Sequence, residues 1–147
     1  MRDILDVKYT NNASGIDSII DLYEKKEINK TFGGFRPDRL MSSSYHFLIT
    51  LNDKNIGFIL LVKEKQNKQV LFLDIAILKK YRNKGYGKEA LILFKEKYAY
   101  QIQDAIIAET QKENIGINKI MYNIGFEPIE SNDDAINKFK IKSLTLN

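Results

Sequence analysis

The chain begins with alternating apolar and polar positions and then changes to helical spacing. Leu5, Val7 and Tyr9 alternate, which predicts a first strand over Ile4 to Tyr9. Ser14 and Asp17 have the spacing of a helix N-cap with its capping box. A helix to about Lys26 is predicted from the apolar residues at helical spacing, which are Ile16, Ile19, Ile20 and Tyr23.

An irregular stretch from Glu27 to Ser44 separates this helix from the next strand. It contains Gly33-Gly34 and the break at Arg36-Pro37. A proline fits the first turn of a helix, and this predicts a short helix from Pro37 to Met41.

The middle of the chain predicts a hairpin followed by a buried strand. Alternation predicts a strand over Tyr45 to Leu51, and a polar turn at 52–55 leads to a returning strand over Ile56 to Val62. In the run from Val70 to Leu78 the only polar residue is Asp74, as expected of a central strand buried on both faces.

The remaining pattern completes a mixed α/β arrangement. Further helices are predicted over Gly87 to Tyr98 and over Asn114 to Ile124, the second ended by Gly125 in the C′ position. Further strands are predicted over Asp104 to Thr110, Phe126 to Ile129 and Lys138 to Leu146. The fold class that follows is α/β, with an antiparallel meander leading into a βαβ unit.

Composition narrows the function classes. The chain has 147 residues, 44% hydrophobic and 29% charged, which predicts one globular domain over residues 1–147. The absence of cysteine excludes thiolate catalysis, disulfides and sulfur-ligated zinc. His46 is the only histidine, which argues against His-rich metal clusters and a Ser-His hydrolase. An acidic N-terminus and no long apolar run predict a cytoplasmic protein without membrane contact.

The charge is mild except in one segment. The net charge is +4 and lysines alternate with acids along the chain, so a nucleic-acid partner is not expected. From Lys79 to Lys88 there are five cations and no acid. Gly85 and Gly87 lie in this segment, between the predicted buried strand and the next helix.

Such a junction is suited to binding a phosphate group. Glycines let backbone amides turn toward an anion, and the helix N-terminus adds free N–H groups and its positive dipole end. A Walker-type loop is absent because Glu89 follows Gly87-Lys88, and the glycine pattern of dinucleotide-binding folds is incomplete because Ala90 stands where its third glycine would be. The remaining pattern is Arg82-x-x-Gly85-x-Gly87.

This segment resembles motif A of the GNAT superfamily of N-acetyltransferases, in which Arg/Gln-x-x-Gly-x-Gly/Ala follows a buried strand. Tyr81 and Lys84 are also typical of the family. The resemblance implies a GNAT-like, mostly antiparallel sheet flanked by helices, with acetyl-CoA as co-substrate. It implies that the loop amides bind the pyrophosphate of coenzyme A, through Arg82, Asn83, Lys84, Gly85, Tyr86, Gly87 and Lys88. Ile77 and Leu78 would pair with the pantetheine arm, and an N–H near Leu78 would stabilise the oxyanion.

A second segment is similar to another family motif. Gly125-Phe126 follows Asn114 by eleven residues, as in the family helix that begins with an asparagine. The resemblance implies that Asn114 contacts the cofactor arm, a role compatible with that of an N-cap.

The sequence departs from the family at the catalytic positions. Many members carry a tyrosine, the general acid for the leaving thiolate, where this chain has Met121. Tyr122 is one residue further, about 100° round a helix, so it is a doubtful substitute. Glu109 stands where related N-terminal-amine acetyltransferases have a proposed general base. Asp74 is either hydrogen-bonded within the sheet or part of the acceptor site, and His46 is expected to be structural or exposed.

The predicted function is therefore transfer of an acetyl group from acetyl-CoA to a primary amine of a small molecule or protein. The alternative is a non-catalytic acyl-CoA-binding or regulatory domain, and a nucleic-acid-binding module ranks third. The acceptor is not named by the sequence, although the region from Tyr23 to Tyr45 is expected to recognise it, with Phe32, Phe35, Arg36 and Arg39 as candidates. A homodimer is left open.

Overall fold

A computed structural model describes residues 3–32, 34–35, 37–67, 69–113 and 115–141. These residues form a seven-stranded sheet in the order β1-β2-β3-β4-β5-β7-β6. The strands are β1 (Leu5–Thr10), β2 (Ser43–Leu51), β3 (Lys54–Lys63), β4 (Val70–Ile77), β5 (Ala105–Gln111), β6 (Phe126–Ile129) and β7 (Ile136–Ile141). The helices are α1 (Ala13–Tyr23), α2 (Lys26–Asn29), α3 (Pro37–Met41), α4 (Tyr86–Lys97) and α5 (Ile115–Asn123).

The sheet is antiparallel except where β4 and β5 run side by side. Strands β1 to β4 form a continuous meander, and β5, β7 and β6 form the other half. The helix α4 connects β4 to β5 as a βαβ unit. The mixed, mostly antiparallel sheet and the predicted order of elements are therefore confirmed.

Helices cover both faces of the sheet and divide the core into two clusters. On one face, α4 and α5 bury Leu91, Phe94 and Met121 against alternate residues of β1 to β5. On the other, α1, α2 and α3 bury Ile19, Ile28 and Leu40 against the remaining residues of β2 to β4. Because side chains alternate across a strand, this arrangement explains why β3 and β4 are apolar almost throughout.

Some predicted boundaries were wrong. The N-cap of α1 is Asn12, whose side chain accepts from the Gly15 N–H at 2.8 Å, whereas Ser14 lies inside the first turn. The helix ends at Tyr23, and α2 follows as a separate turn. The last predicted strand begins two residues early, at Ile136, and its predicted end at Leu146 lies outside the described residues. Gly125 has φ +89 and ends α5 as predicted.

His46 lies half-buried on β2, where Thr10 and Leu60 are its strand partners. Burial lowers the pKa of its imidazole, and a hydrogen bond with the backbone of Leu40 partly opposes this effect. It therefore belongs to the packing between β2 and α3. Among the described helices, none is long and apolar enough to cross a membrane; a cytoplasmic location stays a prediction.

Gly57 on β3 lets the end of β4 approach closely. A Cβ at this position would lie 2.2 Å from the carbonyl oxygen of Ala76 and 3.1 Å from the Cα of Ile77. Both contacts are with backbone, so β4 itself would have to move to make room. At Gly87 a Cβ would meet only the Cδ1 of Ile77, at 3.6 Å.

We predict that Gly57→Ala lowers the free energy of unfolding by about 1–3 kcal/mol, because the added methyl group collides with backbone. Gly87→Ala adds the same group without a collision at a helical position, where alanine is favoured over glycine by up to about 1 kcal/mol, so it should not lower stability. Urea denaturation of both variants measures the difference. Equal stability of the two variants would contradict the close approach at Gly57.

Candidate active site

The site forms where the two parallel strands separate. The register of β4 and β5 runs from Val70↔Ala105 to Phe72↔Ile107 and goes no further in the described chain. Beyond Ile107, β5 pairs with β7 on its other side, while β4 continues to Ile77 beside β3. A gap therefore opens between the second half of β4 and the second half of β5.

The backbone of β4 presents hydrogen-bonding groups to this gap. In an antiparallel ladder, the N–H and C=O groups of alternate residues point toward the partner strand and away from it. The Leu78 N–H donates to the Ile56 carbonyl at 2.8 Å. With the register of β3 and β4, this bond shows that Leu78 and every second residue before it direct their backbone groups toward β3. Leu73, Ile75 and Ile77 therefore direct their backbone groups into the gap.

This pattern of hydrogen bonds bears on the predicted role of Leu78. A backbone N–H near Leu78 was expected to stabilise the oxyanion, and Ile77 and Leu78 were expected to pair with a bound pantetheine arm. Since the Leu78 N–H already donates to Ile56, it is not available to a substrate. The structure instead directs the N–H groups of Ile75 and Ile77 into the gap.

The loop after β4 prepares a helix N-terminus for an anion. A short 3-10 helix, Lys79–Tyr81, is followed by two left-handed residues, Asn83 with φ 62 and Gly85 with φ 84. Gly85 is the N-cap of α4, and no side chain caps the helix. The first intrahelical bond is that from the Glu89 N–H to the Gly85 carbonyl, at 3.1 Å.

The N–H groups of Tyr86, Gly87 and Lys88 precede this first bond, as in any helix start, and remain free to bind a ligand. They add to the positive end of the helix dipole, and Lys84 and Lys88 are exposed beside them. The combination matches what an anionic group such as a phosphate requires.

Tyr86 contributes only its backbone to this arrangement. Its hydroxyl lies 3.3 Å from a carboxylate oxygen of Asp3. The pKa of Tyr86 is raised, first by loss of hydration and then by the negative charge of Asp3. This contact holds the ring near the start of β1, away from the backbone N–H groups at the start of α4.

A cavity of about 420 Å³ joins the loop to the gap between the strands. It is bounded by the end of β4, by the loop and by both helices of that face; the lining residues include Ile75, Ile77, Asn83, Gly85, Gly87, Lys88, Ile117 and Ile120. We refer to it as the loop cavity. Leu78 does not line it and packs against the opposite core cluster.

A second cavity of about 530 Å³ adjoins the first and extends through the gap, from the face of the sheet that carries α1 to α3 to Ile117 and Met121 of α5 on the other face. Asp74 of β4 and Glu109 of β5 line it together with Lys30 and Phe32. Ile75 and Ile117 line both cavities, so the two meet at the point where the strands separate. We refer to the second one as the acidic cavity.

The two carboxylates differ in exposure. Asp74 is buried, with 8% of its surface exposed, whereas Glu109 is exposed at the mouth of the acidic cavity. Alternation along the strands places both on the same face, because Ala108 and Ile77 pack against the opposite one. Of the predicted acceptor residues, Phe32 lines this cavity, Phe35 packs edge-on against Tyr23, Arg39 lies on α3, and Arg36 lies outside the described residues.

Tyr122 and Met121 point in different directions from α5. Met121 is buried and lines the acidic cavity. Tyr122 is 63% exposed and stands edge-on to Phe139, with ring centroids 6.2 Å apart, where it lines a separate surface depression. Asn114, the other residue that the sequence associated with this helix, lies outside the described residues.

Two contributors were not anticipated from the sequence. Lys30 lines the acidic cavity from the turn after α2, a segment without regular periodicity. Asn118 donates from α5 to the carbonyls of Gln111 and Lys112, at 3.1 and 3.3 Å, and it also bonds to the Thr110 hydroxyl. It therefore holds the end of β5 against α5. In the sequence, the only indication of this role was that Asn118 is a polar residue next to the apolar stripe of α5.

Arg82 is held by the protein rather than extended toward solvent. Its Nε donates to the Ile77 carbonyl at 2.7 Å, and its Nη2 donates to the Glu27 carbonyl at 2.8 Å. The sequence predicted that this guanidinium adds charge to the loop. The structure shows in addition that it fixes the end of β4 and the start of the loop relative to α2.

Comparison with known proteins identifies the family of this architecture. The model of the acetyltransferase (GNAT) domain matches residues 17–127, which include the loop and all the residues that line the two cavities. A search among curated proteins gave no significant match.

Solved structures share the fold at low sequence identity. A Bacillus subtilis acetyltransferase in complex with CoA is 16% identical, with a TM-score of 0.65 over 96% of this chain and 100% of that one. RimL, a ribosomal alpha-N-protein acetyltransferase in complex with coenzyme A, is 12% identical, with a TM-score of 0.63 over 92% of each chain. A candidate streptothricin acetyltransferase from Bacillus anthracis, in complex with acetyl coenzyme A, is 25% identical, with a TM-score of 0.51 over 67% of this chain and 62% of that one.

The parallel strand pair that separates, the glycine loop at its end and the domain match over most of the chain agree with one another: the protein belongs to the GNAT acetyltransferase family.

Proposed function

We propose that the protein transfers the acetyl group of acetyl-CoA to a primary amine. The observation that carries the proposal is the junction of the loop cavity with the acidic cavity at Ile75 and Ile117. One cavity offers backbone donors and cations suited to a pyrophosphate, and the other offers carboxylates suited to a cationic amine. Their meeting point is where the two reacting groups would come together.

The residues of the loop cavity fit coenzyme A. The N–H groups of Tyr86, Gly87 and Lys88 would bind its pyrophosphate, with Lys84 and Lys88 adding positive charge. The pantetheine arm would lie along β4, where the Ile77 N–H and the Ile75 carbonyl would bond to its amides as a neighbouring strand does. Related structures with CoA or acetyl-CoA bound support this assignment.

The acidic cavity would receive the amine. An aliphatic amine must lose a proton before it can attack the thioester carbonyl, since the ammonium form has no lone pair. Glu109 is our candidate for the base because it lies at the mouth of the cavity, where water can carry the proton away. Asp74, deeper in the same cavity, would attract the cation and orient it.

Two further steps complete the transfer. Attack by the amine nitrogen places negative charge on the carbonyl oxygen, and the Ile75 N–H, at the boundary of the cavities, is the donor that we assign to it. The carbon–sulfur bond then breaks, and the thiolate leaves. Its pKa of about 8.5 as a free thiol makes protonation by water sufficient. Tyr122 lines a different depression, so we assign it no role in this step.

The acetyl acceptor is a primary amine of a small molecule or of a protein. RimL, with a TM-score of 0.63, is named for acetylation of a protein α-amine, which supports an amine as acceptor. The alternative is a non-catalytic acyl-CoA-binding domain. Turnover of acetyl-CoA in the presence of a panel of amines distinguishes the two functions.

We predict that saturating coenzyme A raises the melting temperature of the protein and that Gly85→Val abolishes this shift. Valine is strained at φ +84 and would turn the loop amides away from the pyrophosphate. Gly34→Val is the matched control, because Gly34 also has a positive φ of +109 and open space around it. It should lower stability while preserving the shift. An unchanged shift in Gly85→Val would refute the assignment of the loop.

We predict that Glu109→Gln lowers kcat by about a hundredfold or more, since glutamine is isosteric but cannot accept the proton. The stabilisation by coenzyme A should persist. Tyr122→Phe serves as the control and should keep kcat/KM within about threefold of wild type. Steady-state kinetics with the best amine of the panel measures both. A loss below about threefold in Glu109→Gln would remove this residue from the mechanism.

A further inference from the structure

Glu27 of α2 makes two separate connections to the end of β4. A carboxylate oxygen of its side chain accepts from the Lys79 N–H at 2.7 Å. Its backbone carbonyl accepts from Arg82 Nη2 at 2.8 Å, and the same guanidinium donates through Nε to the Ile77 carbonyl at 2.7 Å. Two hydrogen bonds thus join Glu27 to the start of the loop, and a third joins the same guanidinium to the last residue of β4.

Glu27 belongs to the segment that forms one wall of the acidic cavity. The next residue, Ile28, is completely buried in the core cluster beneath α1. Lys30 and Phe32, which line the acidic cavity, follow within five residues of Glu27. Arg82, at the other end of the connection, lines the loop cavity. Glu27 therefore stands between the two cavities.

These bonds constrain the end of β4 in a way that the sheet alone does not. The ladder with β3 ends with the bond from Leu78 to Ile56, so the N–H of Lys79 is the first one beyond it. That N–H donates to the Glu27 carboxylate. The Ile77 carbonyl, which points into the gap, accepts from Arg82. Hydrogen bonds to charged groups are among the stronger ones in proteins.

We propose that Glu27 is a positioning residue that holds the loop on the end of β4 and couples its occupation by coenzyme A to the segment Lys26–Phe32. Binding of the cofactor fixes the loop, the loop fixes Arg82 and Lys79, and these fix α2 through Glu27. The wall of the acidic cavity is then ordered before the amine enters. The inference rests on the proposed cofactor site and adds a residue on the acceptor side that acts on it.

Amide hydrogen exchange measured residue by residue, with and without coenzyme A, tests the proposal. The N–H groups of Ile28 and Asn29 report on α2, since both bond to the Lys25 carbonyl, at 2.9 and 3.0 Å. Those of Gly87 and Lys88 report on the loop. In the wild type, coenzyme A should slow exchange at both places, by about tenfold or more.

Glu27→Ala removes the carboxylate that accepts from the Lys79 N–H and keeps the backbone carbonyl that accepts from Arg82. It should retain the slowing at Gly87 and Lys88 and lose part of it at Ile28 and Asn29, with coenzyme A bound about 3- to 10-fold more weakly. Glu27→Gln keeps an acceptor oxygen for the Lys79 N–H and should restore the wild-type pattern. Glu24→Ala removes a nearby exposed carboxylate and should have no effect. Melting temperatures without ligand, equal within about 2 °C, would show that the fold is intact. If Glu27→Ala fails to fold, Arg82→Lys removes the other connection, the bond to the Glu27 carbonyl, and should likewise lose part of the slowing at Ile28 and Asn29 while keeping it at Gly87 and Lys88.

Two results would overturn the proposal while leaving the cofactor site in place. One is slowing confined to Gly87 and Lys88 in the wild type. The other is a Glu27→Ala variant that behaves as wild type. Absence of slowing at Gly87 and Lys88 in the wild type would instead contradict the proposed function itself, and the inference with it.

Discussion

The structure depends on the separation of two parallel strands in the middle of a sheet. After Phe72 and Ile107, the described residues of β4 and β5 no longer pair, and the second half of β4 has backbone donors and acceptors on a side that faces no neighbouring strand. Unpaired backbone groups inside a protein are costly, so such an edge persists where water or a ligand completes it. An extended, amide-containing arm is the kind of ligand that completes it, and this explains why the loop and both cavities adjoin the same strand.

Several independent features hold that edge in place. Gly57 allows the end of β4 to pack closely on β3, because any side chain at this position would collide with the Ala76 carbonyl. Arg82 takes up the carbonyl of the last strand residue, and Asn118 fixes the end of β5 to α5. The apolar cores on the two faces support the strands, while these polar contacts determine how far apart their ends lie. The chemistry that we propose uses that distance, since the cavities meet in the gap.

Much of this could be predicted from the sequence, and the limits have physical reasons. The order of elements followed from periodicity, and the loop followed from Gly85 and Gly87 after an apolar strand. The bond from the Leu78 N–H to Ile56 could not be predicted, because the residues of a strand that direct their N–H groups to a given side depend on the partner strand. The N-cap at Asn12 was missed because Ser14 offered an equally good local pattern. Glu27 lies in an irregular segment, 52 residues from its partner Lys79, so no local pattern could indicate it. The single domain, the homodimer and the cytoplasmic location stay predictions.

The central claim is that the N–H groups of Ile75 and Ile77 donate hydrogen bonds to acetyl-CoA in the gap. The shifts of amide protons during titration with acetyl-CoA test it most directly. The N–H groups of Ala76 and Leu78, which point toward β3, provide the internal control on the same strand. The account predicts that the amide protons of Ile75 and Ile77 move downfield at saturation, whereas those of Ala76 and Leu78 change little. Equal shifts at all four positions, or shifts at Ala76 and Leu78 alone, would contradict it.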